Sequence, residues 1–276
     1  MFPPRTKMIK YIFTTLTSLT AVILSSCESG DFSDSSYGQY SSGISNTYTP
    51  QVTQPVATSY TRSTKSTLGH GSGPSNFRTV IIDAGHGGMD TGASVYGVHE
   101  KHLALDVAKR VKQKLSGKFN VVLLRSSDYF IPLDNRVSMA NRYNSAVMVS
   151  IHLNHSYSRY ARGPETYYFR VDSHGLAKRL QQNMARVSPR ETGQGLVRRR
   201  LRLTRNPKIP CVLVELGYLS SGSDRSLLTK SYYRDRMATA IANALITQDR
   251  IGDSGTGSKP APLNRPMSRP SDTSTL

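Results

Sequence analysis

The sequence predicts an α/β fold: one layered domain with a twisted, mostly parallel or mixed sheet flanked by helices on both faces. Short runs rich in Val and Ile alternate with longer segments whose apolar residues recur every three to four positions. The short runs are typical of strands that are buried on both faces, whereas the periodic segments are typical of helices packed on a sheet. Their alternation along the chain favours a layered arrangement.

The predicted elements follow one another in a regular order. A strand at about 78–83 precedes a helix at about 100–115, in which Leu103, Val107, Val111 and Leu115 form one buried stripe. Further strands are predicted at about 119–125, 146–152, 166–170 and 211–215, and further helices at about 133–143, 176–187 and 232–247. No internal repeat is visible in the sequence, so the elements are expected to form a single domain.

Three of the predicted strands end on a residue that can bind a metal ion or assist its chemistry. The run 80–85 leads into His86, the run 147–151 into His152, and the run 211–214 into Glu215. Because α/β sheets place ligands outside the carboxyl ends of their strands, we expect these side chains to converge. Glu100, at the predicted start of a helix, completes a set of two imidazoles and one carboxylate that is typical of a hydrolytic zinc site.

The segments around these residues form a larger set of landmarks. They are 82–88, 100–101, Arg136 with 140–141, 150–154, 163–168 and 214–220. Together they resemble the zinc-dependent N-acetylmuramoyl-L-alanine amidases of bacterial cell walls, the type 3 amidase family, over roughly 78–247. The family usually has proline where Ala84 stands and a small residue where Cys211 stands, and we expect neither position to touch the metal.

The resemblance implies a catalytic role for each member of the set. His86, Glu100 and His152 are expected to bind one zinc ion, and Glu215 is expected to be the catalytic carboxylate. The implied reaction is hydrolysis of the amide between the lactyl group of N-acetylmuramic acid and L-alanine in peptidoglycan, for cell-wall remodelling or division. Two alternatives stay open: a noncatalytic peptidoglycan-binding lipoprotein, and a zinc peptidase that acts on stem peptides.

Three further residues are assigned to substrate contact or to support of the zinc ligands: Arg136, Asn154 and Glu165. Arg136 either holds a substrate carboxylate or forms an ion pair on the surface. Glu165 either braces the pocket or orients the second nitrogen of a ligating imidazole, a contact that metal-bound histidines usually make.

Residues 1–27 are typical of an export signal. A positive segment precedes an apolar one, and Leu24-Ser25-Ser26-Cys27 resembles a bacterial lipobox. On this interpretation Cys27 is lipidated and anchors a periplasmic or cell-envelope protein to a membrane, whereas the alternative is an ordinary signal peptide cleaved nearby. Residues 28–76 are predicted to be a disordered Ser/Thr/Gly-rich tether, 77–248 the catalytic domain, and 249–276 a disordered tail.

The net charge of +18, from 36 Lys and Arg against 18 Asp and Glu, bears on partners. Its densest cluster, at 196–202, raises a nucleic-acid interpretation, but predicted export and the lack of a recognised binding motif argue against nucleic acid. Attraction to anionic wall polymers is one role for the charge, and a solvated basic face without a partner is the alternative. An activator protein is compatible with the sequence but not required, because the interval between His152 and Glu215 leaves no room for an added helix that would block the metal.

Overall fold

The structure, a computed structural model, describes residues 76–189 and 195–260. The predicted signal segment with Cys27, the predicted tether up to residue 75 and residues 261–276 lie outside this part of the chain. The described residues form a mixed six-stranded sheet with helices packed on both faces, as the sequence predicts.

The element bounds are as follows. The strands are β1 (Thr79–Ala84), β2 (Ser94–Val95), β3 (Val98–His99), β4 (Asn120–Leu123), β5 (Ala146–Asn154), β6 (Glu165–Tyr168), β7 (Leu196–Arg198) and β8 (Cys211–Tyr218). The helices are α1 (Glu100–Leu115), α2 (Leu133–Ala140), α3 (His174–Val187), α4 (Arg202–Arg205), α5 (Gly222–Leu228) and α6 (Ser231–Ile251), and a 3₁₀ turn at Val171–Ser173 precedes α3.

The strand order of the sheet is β4-β1-β5-β8-β6-β7, while β2 and β3 form a separate hairpin. Strands β4, β1, β5 and β8 are parallel, β6 is antiparallel to β8, and β7 is parallel to β6. From β1 the chain crosses through α1 to β4 on one side and then returns through α2 to β5 on the other. The carboxyl ends of β1 and β5 therefore flank a topological switch point, where open α/β sheets bind ligands.

Each face of the sheet has its own apolar core. On one face, Val80 and Ile82 of β1 and Val212 of β8 belong to the larger core with α1, α3 and α6. On the other face, Ile81 and Cys211 belong to a smaller core, to which α4 contributes Leu203. Over the ranges 76–189 and 195–260, every helix is too short or too polar to cross a membrane.

The ordered chain continues beyond the predicted domain boundary at residue 248. Helix α6 continues to Ile251, and Thr256 beyond it is buried. The buried Arg179 guanidinium donates to the carbonyl oxygens of Gly252 and Ser254, each at 2.8 Å. A segment rich in Gly and Ser suggests a tail by composition, but here its backbone carbonyls satisfy a buried cation.

A buried ion pair lies at the carboxyl end of β1. Arg136 Nη1 is 2.5 Å from Asp83 Oδ1, and the Ser150 hydroxyl donates to Asp83 Oδ2 at 2.7 Å. The guanidinium also donates to the carbonyl oxygens of Ile131, Ala84 and His86. Arg136 is 2% exposed, so the alternative of a surface ion pair is wrong, and its donors are engaged with protein groups that hold the end of β1.

Replacing Arg136→Gln is expected to lower the free energy of unfolding by about 3–5 kcal/mol, because it leaves the Asp83 carboxylate buried without its counterion. Urea denaturation measures this change. The matched control is Arg202→Gln, which breaks an ion pair with the exposed Asp134 and should cost at most about 1 kcal/mol. Equal losses in the two variants would contradict the structural role given to Arg136.

Candidate metal centre

His86 directly follows β1 in a left-handed backbone conformation, with φ of 59°. Such a conformation costs a residue other than glycine roughly 1–3 kcal/mol and persists only where the surroundings enforce it. The His86 carbonyl accepts a hydrogen bond from Arg136 Nη2 at 2.7 Å, and its Nδ1 lies 2.8 Å from Asp90 Oδ2. The imidazole is therefore fixed both through its backbone and through its ring.

Glu100 is the first residue of α1, and its carboxylate is buried. Its Oε2 accepts from the backbone N–H of Ala93 at 2.9 Å, and its Oε1 accepts from the backbone N–H of Leu153 at 3.0 Å. The positive end of the helix dipole favours an anion at this position. Glu100 thus links the β2–β3 hairpin, α1 and the carboxyl end of β5.

The three predicted ligands come together. Donor atoms of His86, Glu100 and His152 all lie within 4.8 Å of one another. Glu100 Oε1 is 2.9 Å from His152 Nδ1 and 3.0 Å from His86 Nε2, although the second approach lacks the alignment of a hydrogen bond.

The Nε2 atoms of His86 and His152 are buried without a hydrogen-bond partner. A buried polar atom without a partner carries a desolvation cost of about 1–3 kcal/mol. Imidazole nitrogens and a carboxylate are suitable metal ligands, so a bound cation would satisfy these atoms. The donor set therefore fits a metal ion.

The electrostatics of the set also favour a positive charge at its centre. Burial opposes protonation of His86, but Asp90 and Glu100 outweigh it and raise the pKa of the imidazole to about 10. Burial likewise opposes ionisation of Glu100, but the adjacent His152 and His86 hold the pKa of this carboxyl below its ordinary value. Without a metal ion, protons supply the positive charge that the two carboxylates stabilise.

Glu215 lies on β8, directly across the sheet from His152. On its other side, Glu165 of β6 is paired with it in register. Glu215 is partly exposed, but its Oε2 atom is buried without a hydrogen-bond partner. Burial raises the pKa of Glu215 well above its ordinary value, and the neighbouring charges of Glu100 and Glu165 raise it further. The predicted catalytic carboxylate is thus placed beside the ligand set.

Glu165 is fully buried and braces the pocket. Its carboxylate accepts hydrogen bonds from the hydroxyls of Tyr167 at 2.5 Å and Tyr218 at 2.6 Å, and from Asn154 Nδ2 at 3.3 Å. Burial and the adjacent Glu165 raise the pKa of both tyrosines, which therefore remain hydrogen-bond donors at neutral pH. The network places Glu165 and Asn154 beside Glu215 as supporting groups.

Sequence reasoning missed several residues that build the site. Asp90 orients His86, Tyr167 and Tyr218 hold Glu165, and Arg125 donates to the carbonyl oxygens of Ala84, Gly85 and Lys101. Arg125 is completely buried and joins the end of β1 to the start of α1. Its signal was present in the sequence, because it too follows an apolar strand run. The two tyrosines fall within the landmark segments 163–168 and 214–220, but their role depends on strand pairing, which those segments do not reveal.

Comparison with known proteins identifies related sequences. Residues 80–247, more than half of the 276-residue chain, match the family Amidase_3, described as N-acetylmuramoyl-L-alanine amidase. The N-acetylmuramoyl-L-alanine amidase LytC of Bacillus subtilis (strain 168) is 35% identical over 178 residues, which cover 62% of this chain and 36% of LytC. The chain thus spans about a third of the length of that curated relative.

Solved structures share the fold. The catalytic domain of CwlV, an N-acetylmuramoyl-L-alanine amidase from Bacillus (Paenibacillus) polymyxa var. colistinus, is 34% identical with a TM-score of 0.60, covering 63% of this chain and 99% of that domain. The CwlD amidase from Clostridioides difficile, solved in complex with the GerS lipoprotein, is 30% identical with a TM-score of 0.57, covering 62% and 97% of the two chains. The first of these similarities covers nearly the whole of a catalytic domain.

Two glycines leave the space that the ligands occupy. A Cβ atom at Gly85 would lie 2.4 Å from the His152 ring. A Cβ atom at Gly92 would lie 2.6 Å from both Glu100 Oε2 and the His86 ring, and Gly92 also has a positive φ of 63°. At both positions a methyl group would displace a proposed ligand.

Gly85→Ala is expected to reduce Zn²⁺ affinity by about 10-fold or more, because the methyl group pushes the His152 imidazole away from its partners. Isothermal titration of the metal-free protein with Zn²⁺ measures the affinity, and circular dichroism checks the fold. The control is Gly222→Ala, where the nearest atom to the added methyl is 3.8 Å away at the end of the Arg225 side chain. Unchanged Zn²⁺ affinity in the folded Gly85→Ala variant would contradict the assigned site.

Proposed function

We propose a zinc-dependent amidase reaction for this chain, which belongs to the Amidase_3 family of N-acetylmuramoyl-L-alanine amidases. The bond cleaved is the amide that joins the lactyl group of N-acetylmuramic acid to L-alanine in peptidoglycan. The observation that carries the proposal is the buried set of His86, Glu100 and His152, with Glu215 paired across the sheet from His152. A module that only binds cell wall would have no need of this fourth group.

The proposed ligands of one zinc ion are His86, Glu100 and His152, since two imidazoles and one carboxylate with an open position form a hydrolytic zinc set. The chemistry that the ion supplies when bound is polarisation of the scissile carbonyl and activation of a water molecule. Asp90 accepts a hydrogen bond from the Nδ1–H group of His86, which leaves the lone pair of Nε2 available to the metal.

Glu215 performs the proton transfers in the proposed reaction. It accepts a proton from the attacking water and later donates that proton to the departing nitrogen of L-alanine. Burial and the charges of Glu100 and Glu165 raise the pKa of Glu215, which makes its carboxylate a stronger base than an exposed one. General acid–base catalysis of this kind contributes roughly 10²- to 10⁴-fold to the rate.

The direct test is to incubate the purified full chain with defined muropeptides, with and without a chelator, and to identify products by mass spectrometry. Chelator-sensitive release of intact stem peptides that begin with L-alanine would support the proposal. Binding without release would instead indicate a wall-binding protein, and cuts within the stem would indicate a peptidase. Turnover by the chain alone would also support a cleft that needs no activator, whereas turnover only after a partner is added would contradict that part.

Glu215→Gln should retain zinc but lower kcat by about 10²- to 10⁴-fold, because the amide cannot accept the proton of the attacking water. Metal content is measured by elemental analysis and turnover by release of stem peptide. Asp134→Asn, which neutralises an exposed carboxylate on α2, is the control for the loss of one negative charge and should keep normal turnover. Turnover near the wild-type rate in Glu215→Gln would remove Glu215 from the mechanism.

We also propose that the enzyme is exported and anchored to a membrane of the cell envelope through lipid on Cys27, which ends the sequence Leu24-Ser25-Ser26-Cys27. Lipidation would place the catalytic domain close to its substrate. This proposal is independent of the reaction itself.

Cys27→Ala is expected to abolish incorporation of radiolabelled fatty acid and to shift the protein from the membrane fraction to the soluble envelope fraction. The control is Cys211→Ala, since Cys211 is buried in β8 and unavailable for lipidation. Label retained by Cys27→Ala but lost by Cys211→Ala would overturn the assignment of the anchor.

A further inference from the structure

The basic segment after β7 places one arginine on the face of the sheet that carries Glu165 and Glu215, called the catalytic face below. Tyr167 is paired with Val197 and Tyr168 with Arg198. Side chains alternate between the faces of a strand, so Arg199, the next residue, falls on the face that carries Val197 and Tyr167. The Arg199 N–H donates to the Tyr168 carbonyl at 2.8 Å, which continues the extended pairing by one residue.

Arg199 lies close enough to the site to interact with it electrostatically. Burial, Glu100 and Glu165 raise the pKa of the Glu215 carboxyl. The positive charge of Arg199 opposes this rise. It acts in the same sense on the Tyr167 hydroxyl, whose pKa is raised by burial and Glu165. The guanidinium of Arg199 thus acts on both Glu215 and Tyr167 of the catalytic face.

The N–H groups of the Arg199 guanidinium make no hydrogen bond within the described parts of the chain. Arg199 is partly buried, and no hydrogen bond or ion pair within 76–189 and 195–260 engages its side chain. Nearby arginines differ in this respect, because Arg202 pairs with Asp134 and Arg205 donates to Asn206 Oδ1. Arg199 therefore presents planar donors that suit a carboxylate.

The direction of the proposed reaction indicates which part of the substrate lies there. Glu215 must reach the departing nitrogen of L-alanine, so the peptide portion of the substrate leaves from its side of the cleft. An anionic peptide at this position would meet the negative charges of Glu165 and Glu215, which repel it. A nearby cation with free donors would offset this repulsion.

We propose that Arg199 binds a carboxylate on the peptide side of the scissile amide, within the first residues after L-alanine. The inference rests on the proposed amidase function and adds a preference for an acidic stem peptide to it. The competing explanation is that Arg199 only balances the charge of Glu165 and Glu215 and touches no substrate. The two explanations differ in how the effect of a substitution depends on the charge of the substrate.

The experiment compares two muramoyl tripeptides that differ only in whether the free carboxyl of the second stem residue is intact or amidated. The full chain, Arg199→Gln, Arg199→Lys and Lys208→Gln are assayed on both. Lys208 is exposed in the loop between α4 and β8, so its substitution removes an equal charge away from the proposed site and should leave turnover unchanged. The rate of peptide release gives kcat and KM for each protein with each tripeptide.

We expect Arg199→Gln to lower kcat/KM on the acidic tripeptide about 10-fold or more, mainly through KM, and to change it less than about twofold on the amidated one. Arg199→Lys should recover part of the preference, because it keeps the charge but loses the planar pair of donors. Equal losses on both substrates, or a wild-type enzyme that does not distinguish them, would overturn the proposal in favour of charge balance.

Calorimetric binding of the same two tripeptides separates this inference from the proposed reaction. If the wild-type chain hydrolyses neither peptide, the amidase proposal fails. A tighter binding of the acidic tripeptide that Arg199→Gln removes would still support the carboxylate site. Equal binding of the two tripeptides, or a preference that survives in Arg199→Gln, would overturn it.

Discussion

The site depends on one buried carboxylate at the start of α1. Glu100 accepts the backbone N–H groups of Ala93 and Leu153 and approaches both His86 and His152. These contacts tie the hairpin, α1 and the ends of two neighbouring strands to a single group. A negative charge is tolerated there because the helix terminus and the two imidazoles offset the cost of burial. Removing the charge would leave those parts of the chain without their common partner.

The second constraint is that the turns carrying the proposed ligands are held by arginines through backbone carbonyls. Arg136 donates to the carbonyl of His86, and Arg125 donates to those of Gly85 and Lys101, beside the proposed ligands His86 and Glu100. A hydrogen bond to a backbone carbonyl fixes the path of the main chain, whichever side chain that residue carries. The left-handed conformation of His86 can therefore persist, since the energy of several charge-assisted hydrogen bonds outweighs its strain.

Much of this arrangement follows from the sequence because it depends on local pattern. Helix α1 begins and ends where its apolar stripe predicts, and His86, Glu100 and His152 meet as expected from strand ends that share one edge of the sheet. The end of the domain was not predictable in this way, because Arg179 captures a segment whose composition suggests a tail. The hydrogen bonds from the two tyrosines to Glu165 were also not predicted. They depend on the antiparallel pairing of β6 with β8, which hydrophobic periodicity does not specify.

The net charge of the whole chain and the local charge of the site have opposite signs. The chain as a whole carries +18, whereas the catalytic face concentrates the carboxylates of Glu100, Glu165 and Glu215. At physiological ionic strength the Debye length is about 8 Å. Surface charges that lie farther than this from the proposed site therefore act only weakly on a ligand bound there. Basicity of the surface can gather anionic wall polymers but cannot by itself hold an acidic peptide beside Glu165 and Glu215. That step requires a cation within the cleft, which is why the position of Arg199 matters more than the total charge.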